Sequence, residues 1–420
     1  MNETGQTVST SRAIAAFTIG TLFFFYAFVQ RVSPSVMTSE LMSEFSVGAS
    51  GIGLLSGMYF YTYASLQLPV GLLVDRYGAR RLLMLSAAFC ALASIGFAMS
   101  SSLWVASFFR ALIGGLVAFA FVGTLAIAAE FFSSRRFAML AGLLMATGMF
   151  GAIAGQAPLR LLVETVGWRN CFFILAIAAG LVAIASQLVI PRAKPRPTKT
   201  AADTRIGQQV RQVIANKQTL YCAVGGFGFA ATMLSFAGLW AVPWLTTTKD
   251  FSQVDASGMV SWLFVGVLIG SPILGWVSDA MGRRKPVLIL GIITCLTTLL
   301  AIVHLEHSNR LVLSGLFFVH GLGTGCMVVL MGLCREWNKP QHSASALGFV
   351  NMGVVSSGAV MQPVIGAFLD SKWSGELQEG ARLYSADAYT FAFQTLTVVL
   401  VVAAAAILLI KESNCQQQIQ

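Results

Sequence analysis

Charge is what this sequence has least of. Only 10% of its 420 residues are charged and 56% are hydrophobic, where a soluble chain carries about 25% and about 45–50% respectively. Too little charge remains to cover a water-facing surface of this size, which excludes a soluble globular fold. Paired cysteines are also lacking. Cys90, Cys171, Cys222, Cys295, Cys326, Cys334 and Cys415 are scattered, with no spacing that would build a metal or redox site, so they read as buried apolar side chains. There is no Gly-x-x-x-x-Gly-Lys-Ser/Thr loop and no clustered nucleophile. Direct nucleotide drive and enzyme chemistry are therefore not expected, nor is any cofactor or metal.

What the chain does have is long apolar runs. Twelve windows reach the roughly 20 residues that a bilayer requires: Ala13–Met37, Gly51–Val74, Leu82–Met99, Leu103–Ala129, Phe137–Val163, Cys171–Ile190, Thr219–Thr246, Gly258–Val277, Pro286–Val303, Leu311–Leu333, Ser345–Leu369 and Tyr389–Ile410. Lipid offers the backbone no hydrogen-bond partners, so the spans must be helices and the fold class all-α. The polar start Met1–Ser11 and the long first run do not fit a cleaved signal peptide. The one long polar interruption, Pro191–Gln218, splits the spans six and six. The expected organisation is a helical bundle over 1–190, a linker over 191–218 and a second bundle over 219–420. A further loop, Asp370–Ala388, reads as an ordered cap.

The net charge of +10 records topology rather than a nucleic-acid partner. Nineteen Lys and Arg residues fall on one side of the predicted spans, including Arg12, Arg76, Arg80, Arg81, Arg135, Arg136, the linker cations, Arg283, Arg284 and Lys285. Five fall on the other: Arg169, Lys249, Arg310, Lys372 and Arg382. The positive-inside rule then places both termini and the linker in the cytoplasm.

One basic loop is written twice. Gly71-Leu-Leu-Val-Asp75-Arg76-Tyr-Gly78-Ala-Arg80-Arg81 follows the second span, and Gly275-Trp-Val-Ser-Asp279-Ala280-Met-Gly282-Arg283-Arg284-Lys285 follows the eighth. The offset is close to half the chain, as two parallel repeats require. Glycine at a crossing lets backbones approach, and the second glycine of each copy permits a tight reversal.

With this loop repeated, the chain resembles the major facilitator superfamily along essentially its whole length. Arg110-Ala-Leu-Ile-Gly114-Gly115 in the fourth span is similar to that family's Arg-x-x-x-Gly signature. The resemblance implies twelve transmembrane helices in two pseudo-symmetric six-helix bundles and a secondary transporter that works by alternating access. It also implies that the loop charges form a gate: Asp75, Arg76 and Arg80 in the first copy, Asp279 and Arg283 in the second, with Glu130 nearby. Ala280 replaces the Arg that follows Asp75, so the second gate should be weaker or differently paired.

Ionisable groups inside a bilayer are functional candidates by default. Arg31, Arg110 and Arg160 lie within spans of the first half, while no span encloses a carboxylate; Glu130, Glu164 and Asp370 stand just past span ends. Three embedded cations without an embedded acid predict that an anionic group arrives with the substrate. Arg31, in Tyr26-Ala-Phe28-Val-Gln30-Arg31, offers a bidentate fork for carboxylate or phosphate and resembles the first-helix Arg of the family's organic-anion symporters. Snorkelling to the interface is the alternative. Arg110 serves substrate orientation or a bond to backbone carbonyls. Arg160 shares a helical face with Gln156 and Glu164, and an internal Arg160–Glu164 pair competes with a role in binding.

Tyr26 and Gln30, and Tyr59, Tyr63 and Gln67, form stripes with polar tips; Asn351 and Gln362 are three turns apart on the eleventh span. These are candidate cavity-lining groups, against a packing role. His320, among Gly321, Gly323 and Gly325, is a candidate proton relay or a packing histidine. Trp240, Trp244 and Trp262 read as interface anchors or core. Gly148, Gly151, Gly155 and Pro158 approach, but do not match, the fifth-span signature of drug:proton antiporters, because Gln156 follows Gly155. The strings Arg31-Val-Ser-Pro-Ser-Val-Met, Pro69-Val-Gly71 and Gln362-Pro363-Val-Ile-Gly366-Ala-Phe-Leu-Asp370 resemble nutrient transporters of the phagosomal-transporter kind.

The function expected is import of a small anionic or zwitterionic metabolite such as an organic acid or amino acid, coupled to protons. The alternative is export of a siderophore, drug or other amphiphile. The expected partners are the small-molecule substrate, protons and the lipid bilayer, for a monomer in a bacterial inner membrane.

Overall fold

The computed structural model of the chain describes residues 9–191, 212–305, 309–339 and 342–419. Most of the expected linker, 191–218, lies outside them. Helices dominate, and the only sheet among the described residues is a two-stranded antiparallel hairpin, β1 (Leu377–Gln378) with β2 (Ala381–Arg382). Among the described residues, ten stretches are long and apolar enough to cross a membrane. Helices α3 (Ala49–Tyr77) and α6 (Ser134–Ala154) complete the twelve.

The chain divides into two compact units, residues 1–33 with 58–199 and residues 34–57 with 200–420. The first holds α1 (Thr10–Val32), the rest of α3, α4 (Ala79–Ala98), α5 (Leu103–Phe131), α6 and α7 (Ala157–Val189). Ser9 caps α1 by accepting from the Arg12 N–H at 3.4 Å. Gly78, at φ 81°, turns the chain from α3 into α4. The expected fifth span does not run unbroken. Helix α6 ends at Ala154 with Gly155 as its cap, Gln156 leaves the helical path, and α7 starts afresh with Pro158 in its first turn, where the missing N–H costs nothing. Gly167, at φ 80°, breaks α7 again and sets off the sixth span. The Gly151 and Gly155 pair packs on α1 as the small-x-x-x-small spacing predicts: a Cβ on Gly151 would stand 2.3 Å from the Phe25 carbonyl oxygen.

The second unit comprises α2 (Thr38–Phe45), the start of α3, α8 (Lys217–Ala231), α9 (Ala241–Thr248), α10 (Gln253–Met281), α11 (Lys285–His304), α12 (Arg310–Thr324), α13 (Met327–Glu336), α14 (Ser343–Ser371) and α15 (Ala386–Leu409). Between α8 and α9 the seventh span winds as a π-helix over Thr232–Trp240. Its wider register is reinforced from α14: Gln362 Nε2 donates to the Leu234 carbonyl at 2.8 Å, and Trp240 Nε1 donates to the Gln362 carbonyl at 3.1 Å. Trp240 and Trp244 are buried, Trp244 in a ring cluster with Phe236 and Phe393, whereas Trp262 is half exposed. The anchor reading therefore fits only Trp262. Six of the seven cysteines are buried, and all seven are free thiols.

Candidate functional site

In the first unit three helices bring six of the sequence candidates together: Tyr26, Gln30 and Arg31 from α1, Tyr59 and Tyr63 from α3, and Arg110 from α5. All six are buried. Gln30 joins them. Its Nε2 donates to Tyr26 Oη at 2.7 Å and to Ser94 Oγ at 3.2 Å, while its Oε1 accepts from Arg110 Nη1 at 3.4 Å. Tyr26 and Ser94 are themselves 2.9 Å apart.

Arg110 is fully buried, at 0% exposure. A guanidinium taken out of water loses several kcal/mol of hydration. Its Nη2 donates to the main-chain carbonyls of Gln30 at 2.6 Å and Arg31 at 3.4 Å, and its carbon lies 5.0 Å from the Tyr59 ring centre. A desolvated cation over an aromatic face gains about 2 kcal/mol. Tyr59 is held for this by its Oη, which donates to the Ala27 carbonyl at 2.9 Å. Gly114 lets the two backbones meet, since a Cβ there would stand 2.1 Å from the Tyr59 carbonyl oxygen.

Arg31 turns inward, not out to an interface; it is 7% exposed. Its guanidinium carbon stands 4.1 Å from the Phe28 ring centre, 5.1 Å from Tyr63 and 5.9 Å from Tyr59. Tyr59 and Tyr63 stack with their planes 9° apart. The Nε atoms of both arginines are buried, with no acceptor among the described residues. Two fixed positive charges, aromatic faces and an amide are the chemistry that recognises a carboxylate or phosphate.

The other binding candidates sit elsewhere. Gln67 is half-buried one turn beyond Tyr63, and Gln156 is buried at the break between α6 and α7. Arg160 donates from Nε to Glu164 Oε1 at 3.0 Å, the internal pair that the spacing allowed. Gln362 belongs to the second unit, tied to the π-helix, and Asn351 lies half-buried on the same helix α14. His320 is buried in the second unit with Nδ1 2.9 Å from Thr298 Oγ1, and its Nε2 has no partner among the described residues.

The first basic loop places Arg76 beside the Tyr77 ring, with Arg80 donating to the Gln187 carbonyl. Glu130 is exposed at the end of α5. The Asp75 side chain lies outside the described residues. The second loop holds its aspartate through Arg284, two residues past Gly282. Arg284 binds Asp279 within the loop and Glu336 at the end of α13, at 2.7 Å. Burial opposes the charge on Arg284, but the hydrogen bonds it donates to Glu336 and Asp279 outweigh it and raise its pKa above the ordinary value. Neighbouring Arg283 stays exposed.

In the second unit, sequence reasoning passed over Glu336 and Glu412 and placed Asp370 only at a span end, with no role. Glu336 was hidden because its partner is 52 residues away. Glu412 accepts from the N–H groups of Arg284 and Lys285, each at 2.9 Å, and so straps the C-terminal segment across the start of α11. Asp370 caps α3, accepting from the Ala49 and Ser50 N–H groups at 3.1 and 3.0 Å, and is also bonded by Tyr384 and Arg382. A lone Asp closing an apolar run was the only signal for it.

The family model for the Major Facilitator Superfamily matches residues 19–257 and 227–414. The chain belongs to the Major Facilitator Superfamily. Among its curated relatives in that superfamily are the D-galactonate transporter of Escherichia coli O6:H1, 22% identical over 61% of this chain and 65% of that protein, and the gentisate transporter of Corynebacterium glutamicum, 24% identical over 85% and 81%. The multidrug resistance protein MdtG of Escherichia coli is 24% identical over 78% and 80%. The chain thus spans less than two thirds of the D-galactonate transporter. A crystal structure of a bacterial homologue of the human lysosomal transporter Spinster superposes with a TM-score of 0.79, at 16% identity, covering 96% of this chain and 98% of that one. The twelve-helix superfamily fold therefore holds.

Proposed function

We propose that this superfamily member imports a small organic anion, with Arg31 and Arg110 holding the anionic group and Tyr59 and Tyr63 lining its path. The observation that carries the reading is the pair of buried guanidinium groups sharing the Tyr59 ring, within a set of spans whose apolar stretches enclose no Asp or Glu. A charged group kept in a bilayer costs at least about 2.5–3.5 kcal/mol, and two such groups are retained for a purpose. The similarity to a galactonate and a gentisate transporter, both named for carboxylate substrates, supports the same class.

Proton coupling is part of the proposal. Its carriers are the substrate's own acid group, the loop carboxylates or His320. The distribution of basic residues supports an orientation with both termini cytoplasmic, and the bacterial relatives support residence in an inner membrane. The likeness to MdtG favours a second reading, efflux of an amphiphile; two buried cations count against a cationic drug.

The test is uptake into proteoliposomes of sugar acids, aromatic acids, amino acids and nucleosides, with and without an inward proton gradient. Organic acids are expected to accumulate, faster with the gradient. Transport of nucleosides alone overturns the anion site, and indifference to the gradient overturns proton symport.

A further inference from the structure

The second unit holds a cavity beside its own basic loop, away from Arg31 and Arg110 in sequence. The cavity, of about 630 Å³, is lined by Arg283, Lys285, Pro286, Ile289, Glu412 and Asn414. Gly282, at φ 64°, turns the chain into it and gives adjacent arginines opposite fates. Arg284 is taken up by Asp279 and Glu336, whereas Arg283 is exposed and forms no ion pair among the described residues. Lys285 leans along α15, its Nζ donating to the Leu408 carbonyl at 2.6 Å.

The one acid of the lining is already engaged. Glu412 accepts from the backbone N–H groups of Arg284, Lys285, Ser413 and Asn414, between 2.9 and 3.2 Å. Desolvation pushes its pKa up, yet those four donors outweigh it and hold the carboxyl below its ordinary value. Its charge sits at the start of α11, where it is favoured, and Arg283 and Lys285 set the sign of the remaining field.

The apolar side of the cavity continues into the lipid-facing surface. Ile289 and Ile293 share a face of α11 one turn apart; Leu290 and Ile293 on α11, and Leu408 and Leu409 on α15, are more than half exposed. Cations at the water end and bare hydrocarbon toward the membrane are the two halves of a phospholipid contact. Basic pockets between helices on the basic side of a membrane protein hold anionic headgroups. We infer that this cavity binds an anionic phospholipid, Arg283 and Lys285 meeting its phosphate and Ile289 lying against its first acyl carbons.

The probe is phosphatidylglycerol, presented to the full-length protein in nanodiscs, with phosphatidylcholine as the neutral comparison and inorganic phosphate in detergent as the free-anion arm. Native mass spectrometry counts retained lipid and thermal melting reports stabilisation. Phosphatidylglycerol is expected to be retained and to raise the melting temperature, while phosphatidylcholine and inorganic phosphate do neither. Arg283→Gln should weaken retention about fivefold, in keeping with the worth of one cation near a charged surface. Lys285 also bonds α15, so Arg283→Gln, whose side chain is exposed, is the decisive variant, and Lys372→Gln on another loop is the control. Equal retention by Arg283→Gln and by the parent, or equal stabilisation by phosphatidylcholine, overturns the site. Stabilisation by inorganic phosphate alone would reduce it to an anion pocket without lipid.

Discussion

Arg110 donates from Nη2 to the main-chain carbonyl of Gln30 at 2.6 Å, one residue before the second buried guanidinium. One arginine therefore fixes the backbone that carries the other. Position 110 shapes the site through α1, and position 31 presents the free face, which separates their expected phenotypes.

Arg31→Lys should keep the charge and lose the fork. A hydrogen bond to a charged group is worth about 1.5–3 kcal/mol, so transport efficiency for an organic acid should fall about 10- to 100-fold while the melting temperature holds. Substrate-concentration curves in proteoliposomes check this; uptake equal to the parent would remove Arg31 from the site.

Arg110→Lys should lower both uptake and thermal stability, because the bonds to Gln30 and the contact with Tyr59 go together. A loss of uptake with an unchanged melting temperature would contradict the structural half of this assignment.

Two adjacent glycines should respond differently. A Cβ on Gly114 meets the Tyr59 backbone at 2.1 Å, whereas one on Gly115 first meets the flexible end of Leu66 at 3.1 Å. Overpacking typically costs about 1–3 kcal/mol, so Gly114→Ala should destabilise and impair transport and Gly115→Ala should do neither. Melting curves and uptake of the pair decide it.

Glu412→Gln should destabilise the protein at neutral pH, since four backbone N–H groups lose a charged acceptor. The carboxyl's folded pKa is depressed, so its contribution is present above the unfolded value and is lost as pH falls through the folded one. The gap in melting temperature between parent and variant should therefore shrink on acidification below the ordinary glutamate range, about pH 4.

Asp370→Asn should weaken the start of α3 by about 0.5–2 kcal/mol, the usual worth of a helix N-cap. Tyr384→Phe removes one donor to the same carboxylate and should cost less. Hydrogen exchange at Ala49 and Ser50 reads both directly.

Much of this was legible in the sequence because lipid constrains it so strongly. The spans, the half-chain repeat and the stripes Tyr26/Gln30 and Tyr59/Tyr63 follow from length, polarity and a 3.6-residue period, and the stripes do meet Arg31 and Arg110. The π-helix at Thr232–Trp240 was not legible, because a segment apolar on every side gives no period to count. Gln362 shows the limit of spacing arguments: the spacing left cavity lining and packing open, and its amide serves the Leu234 carbonyl of its own unit. The Arg284–Glu336 and Glu412 contacts join residues 52 and 128 positions apart, beyond the reach of any local rule.

The burial of six cysteines has a practical outcome. Cys415 is the one thiol with partial exposure, and it sits in the strap beside Glu412 with its Sγ donating to the Ser278 carbonyl at 3.6 Å. The unmodified chain thus carries a single native handle for a maleimide dye, placed where labelling speed reports whether the tail is seated or has come away.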